Sequence, residues 1–282
     1  MANLQRLARE SSRPDGEFVE AIARGLAVIE AFDSDHGEMT LSEVAMRTGM
    51  SPATARRCLH TLEALGYMRR VGRRFVPSAR VLALGMAYSR AAQIEEMIVP
   101  EIRALVEAYG DAASVGVLDG GDILYIAHIS RQKAVRMTAA VGVRYPAYAN
   151  SMGRVLLAYL DEAARDAYFR TAQLRKLTDV TVTSRRELER IFADIRRNGY
   201  VTVVDQLDYG ITALAVPIRS PAGVVVAALN TSGYTGRVTP KQLIDERLPS
   251  LRDAAARIER RLVQYPALAD SALTSRLPAR GV

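Results

Sequence analysis

One cysteine in 282 residues leaves the chain no partner for an intramolecular disulfide and no cysteine-rich zinc site. Such a composition suits a reducing, cytoplasmic compartment. Only three histidines occur (His36, His60 and His128), too far apart for metal-ligand spacing, so no metal is expected. No apolar run reaches the roughly 18 residues that a spanning helix needs, so no membrane partner is expected. Met1–Gly16 is polar and charged, without the apolar stretch of a signal peptide. It reads as a mobile tail whose Arg6, Arg9 and Arg13 offer weak contacts. No P-loop, nucleophile elbow or metal-site spacing appears, so no catalytic residue and no cofactor is assigned. Ser151 and His128 leave a small-acid hydrolase as a remote alternative.

The length is enough for two domains, and 49% hydrophobic residues suit packed cores. The charge is concentrated. Arg47 to Arg80 hold eight arginines and one acid, Glu63, a local balance of +7 that equals the formal charge of the whole chain. A focused basic face on a small helical unit points toward a phosphate backbone.

The same stretch reads as a helix-turn-helix with a wing. Thr40 and Glu43 have capping-box spacing, and Met39 and Val44 stand where a hydrophobic staple closes. Gly49 supplies the turn, Ser51 caps the next helix and Pro52 fits its first position. At 100° per residue Ala55, Cys58, Leu59, Leu62 and Leu65 fall on the inner side of that helix. Ala53, Arg56, Arg57, His60 and Thr61 fall on the outer side, where a recognition helix faces the major groove. With Ser51 and Thr54 these are the candidate DNA contacts. Gly66 ends the helix, and Tyr67–Arg70 with Arg73–Val76 reads as the wing, turning at Val71-Gly72. Its Arg69, Arg70, Arg73 and Arg74 are placed on the DNA backbone or an adjacent minor groove. A structural helical subdomain with a solvated arginine face is the plain alternative.

A first helix is expected over Phe18–Phe32, and the pattern of Val81, Leu82, Leu84, Gly85 and Tyr88 suits a connector helix that pairs with another copy of itself. A further helix covers Glu95–Tyr109. The period then becomes strand-like. Ala113–Leu118 and Asp122–Ile129 form a hairpin about Asp119-Gly120-Gly121, and Val135–Val141 reads as a third strand. Helices follow over Ser151–Leu160, Glu162–Arg170 and Ser184–Asn198, then strands over Tyr200–Asp205, Ala213–Arg219 and Val224–Thr231. A long helix covers Pro240–Tyr265. The result is an α+β chain: a tail (1–16), a winged helix-turn-helix (17–78), a linker helix (79–94), a second domain (95–266) and a tail (267–282).

The second domain has one site-like segment, Tyr145-Pro-Ala-Tyr-Ala-Asn-Ser-Met-Gly-Arg154, which opens a helix. With Asn150 or Ser151 as cap, free N–H groups of Met152, Gly153 and Arg154 would present a partial positive charge to an anion. Gly153 would let a ligand approach, and Arg154 either adds charge or points to solvent. An ordinary capped helix with a packing glycine is the competing reading. The polar strand ends Asp205–Gly210 and Ala228–Gly233 complete a candidate small-acid site.

Leu41-Ser-Glu-Val-Ala, Gly49-Met-Ser-Pro-Ala-Thr-Ala-Arg-Arg and Leu62-Glu-Ala-Leu-Gly-Tyr resemble IclR-type bacterial transcriptional regulators over about residues 18–265. So do Gly199-Tyr with Val204-Asp-Gln, and Ala215-Val-Pro-Ile with Pro221-x-Gly. Val81-Leu-x-Leu-Gly-x-x-Tyr and Ser151-Met-Gly-Arg-Val-Leu-Leu-Ala are similar to the Pca/Pob branch of that family. The resemblance implies a winged helix-turn-helix, a linker helix and a GAF-like effector domain with an antiparallel sheet and flanking helices, assembled as dimers or tetramers. It implies a ligand-responsive regulator of aromatic-acid catabolism (protocatechuate, 4-hydroxybenzoate or catechol, the β-ketoadipate type) acting on a pseudo-palindromic operator. Regulation of another small-acid pathway, of glyoxylate or pyruvate type, is the alternative. Effector contacts are implied at Ser151, Met152, Gly153, Arg154, Asp205, Thr212, Asn230 and Ser232. The chain departs from the family where Asp205 is followed by Gln206-Leu207 in place of a second acid, and where Asn230 replaces a frequent serine.

Overall fold

The computed structural model describes residues 18–33, 35–131 and 139–264. The chain divides into two compact units between Tyr88 and Ser89. Among the described residues no helix is long and apolar enough to cross a membrane, and no cluster of His, Cys, Asp and Glu has the geometry of a metal site. The tails and most of the strand expected at Val135–Val141 lie outside the described residues; Ala139–Val141 form no strand.

In the first unit the elements are α1 (Glu20–Glu30), β1 (Met39–Thr40), α2 (Leu41–Thr48), α3 (Pro52–Ala64), β2 (Met68–Val71) and β3 (Arg74–Pro77). Thr40 closes a capping box: Glu43 N donates to its Oγ1 at 3.4 Å and Thr40 N donates to Glu43 Oε2 at 2.6 Å. Gly49 ends α2 in the left-handed region, at φ 68°. Ser51 Oγ then accepts from Thr54 N at 3.2 Å to start α3. Val28, Met39, Val44, Ala55, Leu59, Met68 and Phe75 build the core. Leu59 is fully buried, so its truncation to alanine should cost about 2–5 kcal/mol.

Three local expectations need correction. Leu65 is 52% exposed, because it is the C-cap, beyond the last turn that packs inward. In the wing Val71 pairs with Arg74, so the turn residues are Gly72-Arg73 and not Val71-Gly72. The wing also has a third member, since the two-residue β1 pairs with β3 to give the order β1-β3-β2.

A turn of 3-10 helix, Ala79–Val81, leads into α4 (Leu82–Ala91), none of whose residues is buried. Gln93 adopts a left-handed conformation at φ 51° and breaks the helix. The helix expected over Glu95–Tyr109 is therefore two, α5 (Ile94–Met97) and α6 (Val99–Tyr109), with Pro100 in the first turn of α6.

The second unit is built on a six-stranded antiparallel sheet of order β6-β5-β4-β9-β8-β7. Its strands are β4 (Ala112–Asp119), β5 (Asp122–Ser130), β6 (Arg144–Pro146), β7 (Val201–Val204), β8 (Ile211–Arg219) and β9 (Val225–Tyr234). Leu118, Ile123, Tyr125, Ala215 and Ala228 face α7 (Ser151–Ala158), which is covered in turn by α8 (Glu162–Thr171) and α9 (Arg185–Asn198). Every residue of α7 is buried. On the other face lie α6 and the C-terminal helix, which starts with a turn (Pro240–Gln242), widens to a π-helical turn (Leu243–Arg247) and continues as α10 (Leu248–Leu262). The architecture is α+β, as expected.

Candidate nucleic-acid interface and buried polar site

The outer side of α3 and the wing carry the predicted cations to the surface. Ser51, Ala53, Arg56, Arg57, His60, Thr61, Arg69, Arg70, Arg73 and Arg74 are exposed, and Thr54 is half-buried with its hydroxyl 2.9 Å from Ser51 Oγ. Among the described residues no acid lies within ion-pair distance of Arg56, Arg57, Arg69, Arg70 or Arg73, so these charges are open to a phosphate. Arg74 differs. It sits 3.6 Å from Glu38 and 3.7 Å from Glu43, and donates to the Glu38 carbonyl at 3.4 Å, which fastens the wing to the start of α2. Its assignment as a DNA contact is thereby weakened in favour of a structural one. His60 stands edge-on to Phe75 at 6.3 Å and 3.3 Å from Glu63. A cleft of about 460 Å³ opens between α2, α3 and the wing, with Thr40, Ser42, Arg56, His60, Arg70 and Arg73 on its walls. Hydroxyls and guanidinium groups around one cleft are suited to oxygens of a sugar-phosphate strand.

In the second unit the helix opening differs from its expected form. Asn150 caps α7, and its Oδ1 accepts from Met152 N at 2.9 Å and Gly153 N at 3.4 Å. Arg154 N donates to the Asn150 carbonyl at 2.9 Å. The N–H groups expected to be free for an anion are thus already engaged. Gly153 serves packing: a Cβ there would lie 2.3 Å from the Ala147 carbonyl oxygen. Arg154 neither points to solvent nor reaches it, being 3% exposed. Burial pushes its guanidinium down to about 10.

The remaining predicted residues separate into two groups. Asp205, at φ 51°, ties its own loop: its Oδ1 accepts from Gly210 N at 2.8 Å and Thr235 Oγ1 at 2.8 Å. Thr212 Oγ1 donates to Thr235 Oγ1 at 3.0 Å and belongs to the same network. By strand alternation Thr212 faces away from α7, together with Thr231, whose hydroxyl accepts from Arg247 at 3.3 Å. Asn230 and the half-buried Ser232 share the face of Ala228, toward α7. Among the described residues Asn230 Oδ1 and Ser151 Oγ are buried without a hydrogen-bond partner.

On this face Ser114 and Tyr125 escaped sequence reading. His128, Ser114 and Asn230 form one row across β5, β4 and β9. A bulge between Val115 and Gly116 sets the row's register, and nothing in the residue pattern announces it. Ser114 Oγ lies 2.9 Å from His128 Nδ1, and burial lowers the imidazole's affinity for a proton. No carboxylate among the described residues orients that imidazole, so the pair lacks the third member of a hydrolytic triad. Tyr125, pushed up to about 12 by burial, accepts from Asn150 Nδ2 at 3.0 Å and packs edge-on to Tyr145 at 5.5 Å. The face therefore combines aromatic walls with unpaired polar atoms, a combination suited to holding a small molecule.

Residues 21–72 match the IclR helix-turn-helix domain, and residues 86–260 match the C-terminal domain of bacterial IclR transcriptional regulators. The chain is 37% identical over 242 residues to the Pca regulon regulatory protein of Pseudomonas putida, covering 86% of this chain and 83% of that one. It is 32% identical over 244 residues to the p-hydroxybenzoate hydroxylase transcriptional activator of Acinetobacter baylyi, covering 85% and 90%. A crystal structure of an IclR homolog from Microbacterium hydrocarbonoxydans, complexed with 4-hydroxybenzoate, has the same fold at a TM-score of 0.75 and 27% identity, covering 86% of this chain and 99% of that one. The arginine-bearing helix-turn-helix and the sheet-and-helix unit that follows it in the chain are those of a DNA-binding regulator, and the chain belongs to the IclR family of bacterial transcriptional regulators.

Proposed function

We propose that this regulator controls genes for the breakdown of an aromatic acid, and that a small aromatic carboxylate bound in its second unit alters its hold on DNA. The kinship to regulators named for Pca and p-hydroxybenzoate functions supports the pathway class. One observation carries the effector site: among the described residues Asn230 Oδ1, on the sheet face that also carries Tyr125, and Ser151 Oγ, next to the Asn150 that bonds the Tyr125 hydroxyl, are buried and unpaired. A buried polar atom without a partner costs roughly 1–3 kcal/mol, a cost that a ligand's hydroxyl or carboxyl group removes.

At the output end the N-terminal half of α3 enters the major groove, with Arg56 and Arg57 at base edges or phosphates. Arg69, Arg70 and Arg73 grip the backbone. The regulator acts as a dimer or tetramer on a pseudo-palindromic operator. The bare apolar surface of α4 supports this, with Leu82 72% exposed and Leu84 and Met86 each 44% exposed. An effector shifts such an assembly only through unequal affinity for two arrangements of it.

The test is retardation of the DNA upstream of the chain's own gene, titrated with protocatechuate, 4-hydroxybenzoate, glyoxylate and pyruvate at several salt concentrations. The expected result is sequence-specific, salt-dependent binding that an aromatic acid changes and the ketoacids leave alone. Sequence-indifferent binding, or a response to glyoxylate or pyruvate only, overturns the reading.

A further inference from the structure

Among the described residues of the second unit two arginines are buried, and one of them meets no acid. Arg247, 6% exposed, donates to Asp111 at 2.6 Å. Arg154, 3% exposed, donates through Nε to the Tyr148 carbonyl at 2.7 Å and through Nη2 to Gln206 Oε1. Both acceptors are neutral. Among the described residues no carboxylate lies within ion-pair distance of Arg154; the acid whose charge reaches it is Glu187, on α9. An uncompensated guanidinium out of water is costly, so the position is poised for an anion.

Two further donors stand nearby. Ser151 Oγ, 1% exposed, precedes Arg154 by three residues and shares its helix face. The Tyr168 hydroxyl, on α8 and 1% exposed, makes no full hydrogen bond among the described residues, and the Tyr148 backbone and the Arg154 charge both act on it. A guanidinium and two hydroxyls complement a group with several acceptor oxygens and a negative charge, which is the description of a carboxylate.

We propose that Gln206 is a specificity-determining placeholder: its amide oxygen occupies the place on Arg154 that the effector's carboxylate takes, and its neutrality makes the site select an anion. The proposal rests on the effector reading above. Gln206 has other anchors that survive the exchange. Its Nε2 donates to the Val180 carbonyl at 2.7 Å, and its own carbonyl accepts from Thr181 Oγ1 at 2.8 Å. The displaced side chain stays tethered to the 180–182 segment.

Gln206→Glu places a carboxylate on Arg154 from within the chain. In the full-length protein the new ion pair offsets the lost Nε2 bond to the Val180 carbonyl, so the ligand-free unfolding temperature should stay within a few degrees of the wild type. The substitution should weaken binding of 4-hydroxybenzoate, followed by calorimetry, by about tenfold or more. Tyr168→Phe removes a hydroxyl that makes no full hydrogen bond among the described residues. It should leave the unfolding temperature unchanged or higher while weakening the same ligand several-fold. The neutral amide 4-hydroxybenzamide should bind the wild type far more weakly than the acid. A Gln206→Glu protein that binds the acid as the wild type does, or a wild type that takes amide and acid equally, overturns the placeholder and leaves the effector reading standing. A wild type unmoved by every aromatic acid overturns both.

Discussion

Arg247 Nη2 donates to Asp111 Oδ2 at 2.6 Å with both side chains almost out of solvent, 8% and 12% exposed. The Arg247 guanidinium also lies 5.0 Å over the Tyr109 ring, so one side chain joins the C-terminal helix to α6 and to the first turn before β4. Removing one member of a buried pair strands the other charge. Asp111→Asn should therefore cost roughly 3–5 kcal/mol in urea unfolding, and Arg247→Met a similar amount. Replacing both by apolar residues should recover part of that loss. An unchanged midpoint for Asp111→Asn would show that the charge is compensated elsewhere.

Gly153 and Gly85 both sit in helices, where alanine ordinarily gains up to about 1 kcal/mol over glycine. At Gly85, on the exposed α4, an added Cβ meets nothing within 4 Å, so Gly85→Ala should stabilise the chain by about that amount. At Gly153 the same methyl group lands 2.3 Å from backbone oxygen. Gly153→Ala should destabilise by about 3 kcal/mol or abolish folding, because overpacking against main chain outweighs any helix propensity. Thermal unfolding of the two variants side by side checks the contrast.

Arginines with and without acidic neighbours should behave differently on DNA. Arg56→Ala and Arg57→Ala should weaken specific binding by about 1–3 kcal/mol where they reach base edges. Where they hold phosphates, each should lower the salt slope by about 1. Arg74→Ala should act mainly on stability, releasing Glu38 and Glu43 and loosening the wing with little change in slope. Unchanged specific affinity together with salt slopes equal to the wild type's for Arg56→Ala and Arg57→Ala would remove the recognition role assigned to α3.

What the sequence disclosed and what it hid follow a physical division. Thr40 with Glu43, Ser51 with Pro52, and Gly49, Gly110 and Gly199 mark helix ends through contacts within a few residues, so they are legible from order alone. The pairing of β1 with β3, the edge strand Arg144–Pro146 and the bulge beside Val115 depend on distant partners and leave no local trace. At the buried site the helix opening at Ser151 was readable. That its N–H groups are taken by Asn150, and that Arg154 ends on Gln206 across 52 positions of chain, was not. That Thr212 lies on the face opposite Asn230 depends on strand alternation and the β8–β9 register, which the sequence does not show.

His128 is half-buried beside Ser114, and burial holds its imidazole below the ordinary value of 6.5. A depressed folded-state value means that the unfolded chain binds the proton more readily. The contribution to stability is then complete above about pH 6.5 and lost as pH falls below it. Unfolding midpoints measured from about pH 8 to 5 should decline over the lower part of that range, and His128→Gln should flatten the decline. An identical profile for the variant would place the titrating group elsewhere.

Leu82, the most exposed apolar residue of α4, should be tolerated as aspartate by the fold but not by the assembly. Leu82→Asp should leave thermal unfolding of the individual units nearly unchanged while shifting sedimentation toward smaller species and weakening binding to a two-half-site operator. Sedimentation identical to that of the wild type would exclude α4 from the contact between copies.

The π-helical turn Leu243–Arg247 accommodates one residue more than an α-turn would, with the inward positions Leu243 at its start and Leu251 and Ala254 beyond it already in place. A single-residue deletion within α10 would swing everything beyond it by about 100° and carry the apolar side away from the sheet. The same deletion within the wide turn would draw the surplus residue out and leave both flanks facing as before. There, chain length and packing direction come uncoupled.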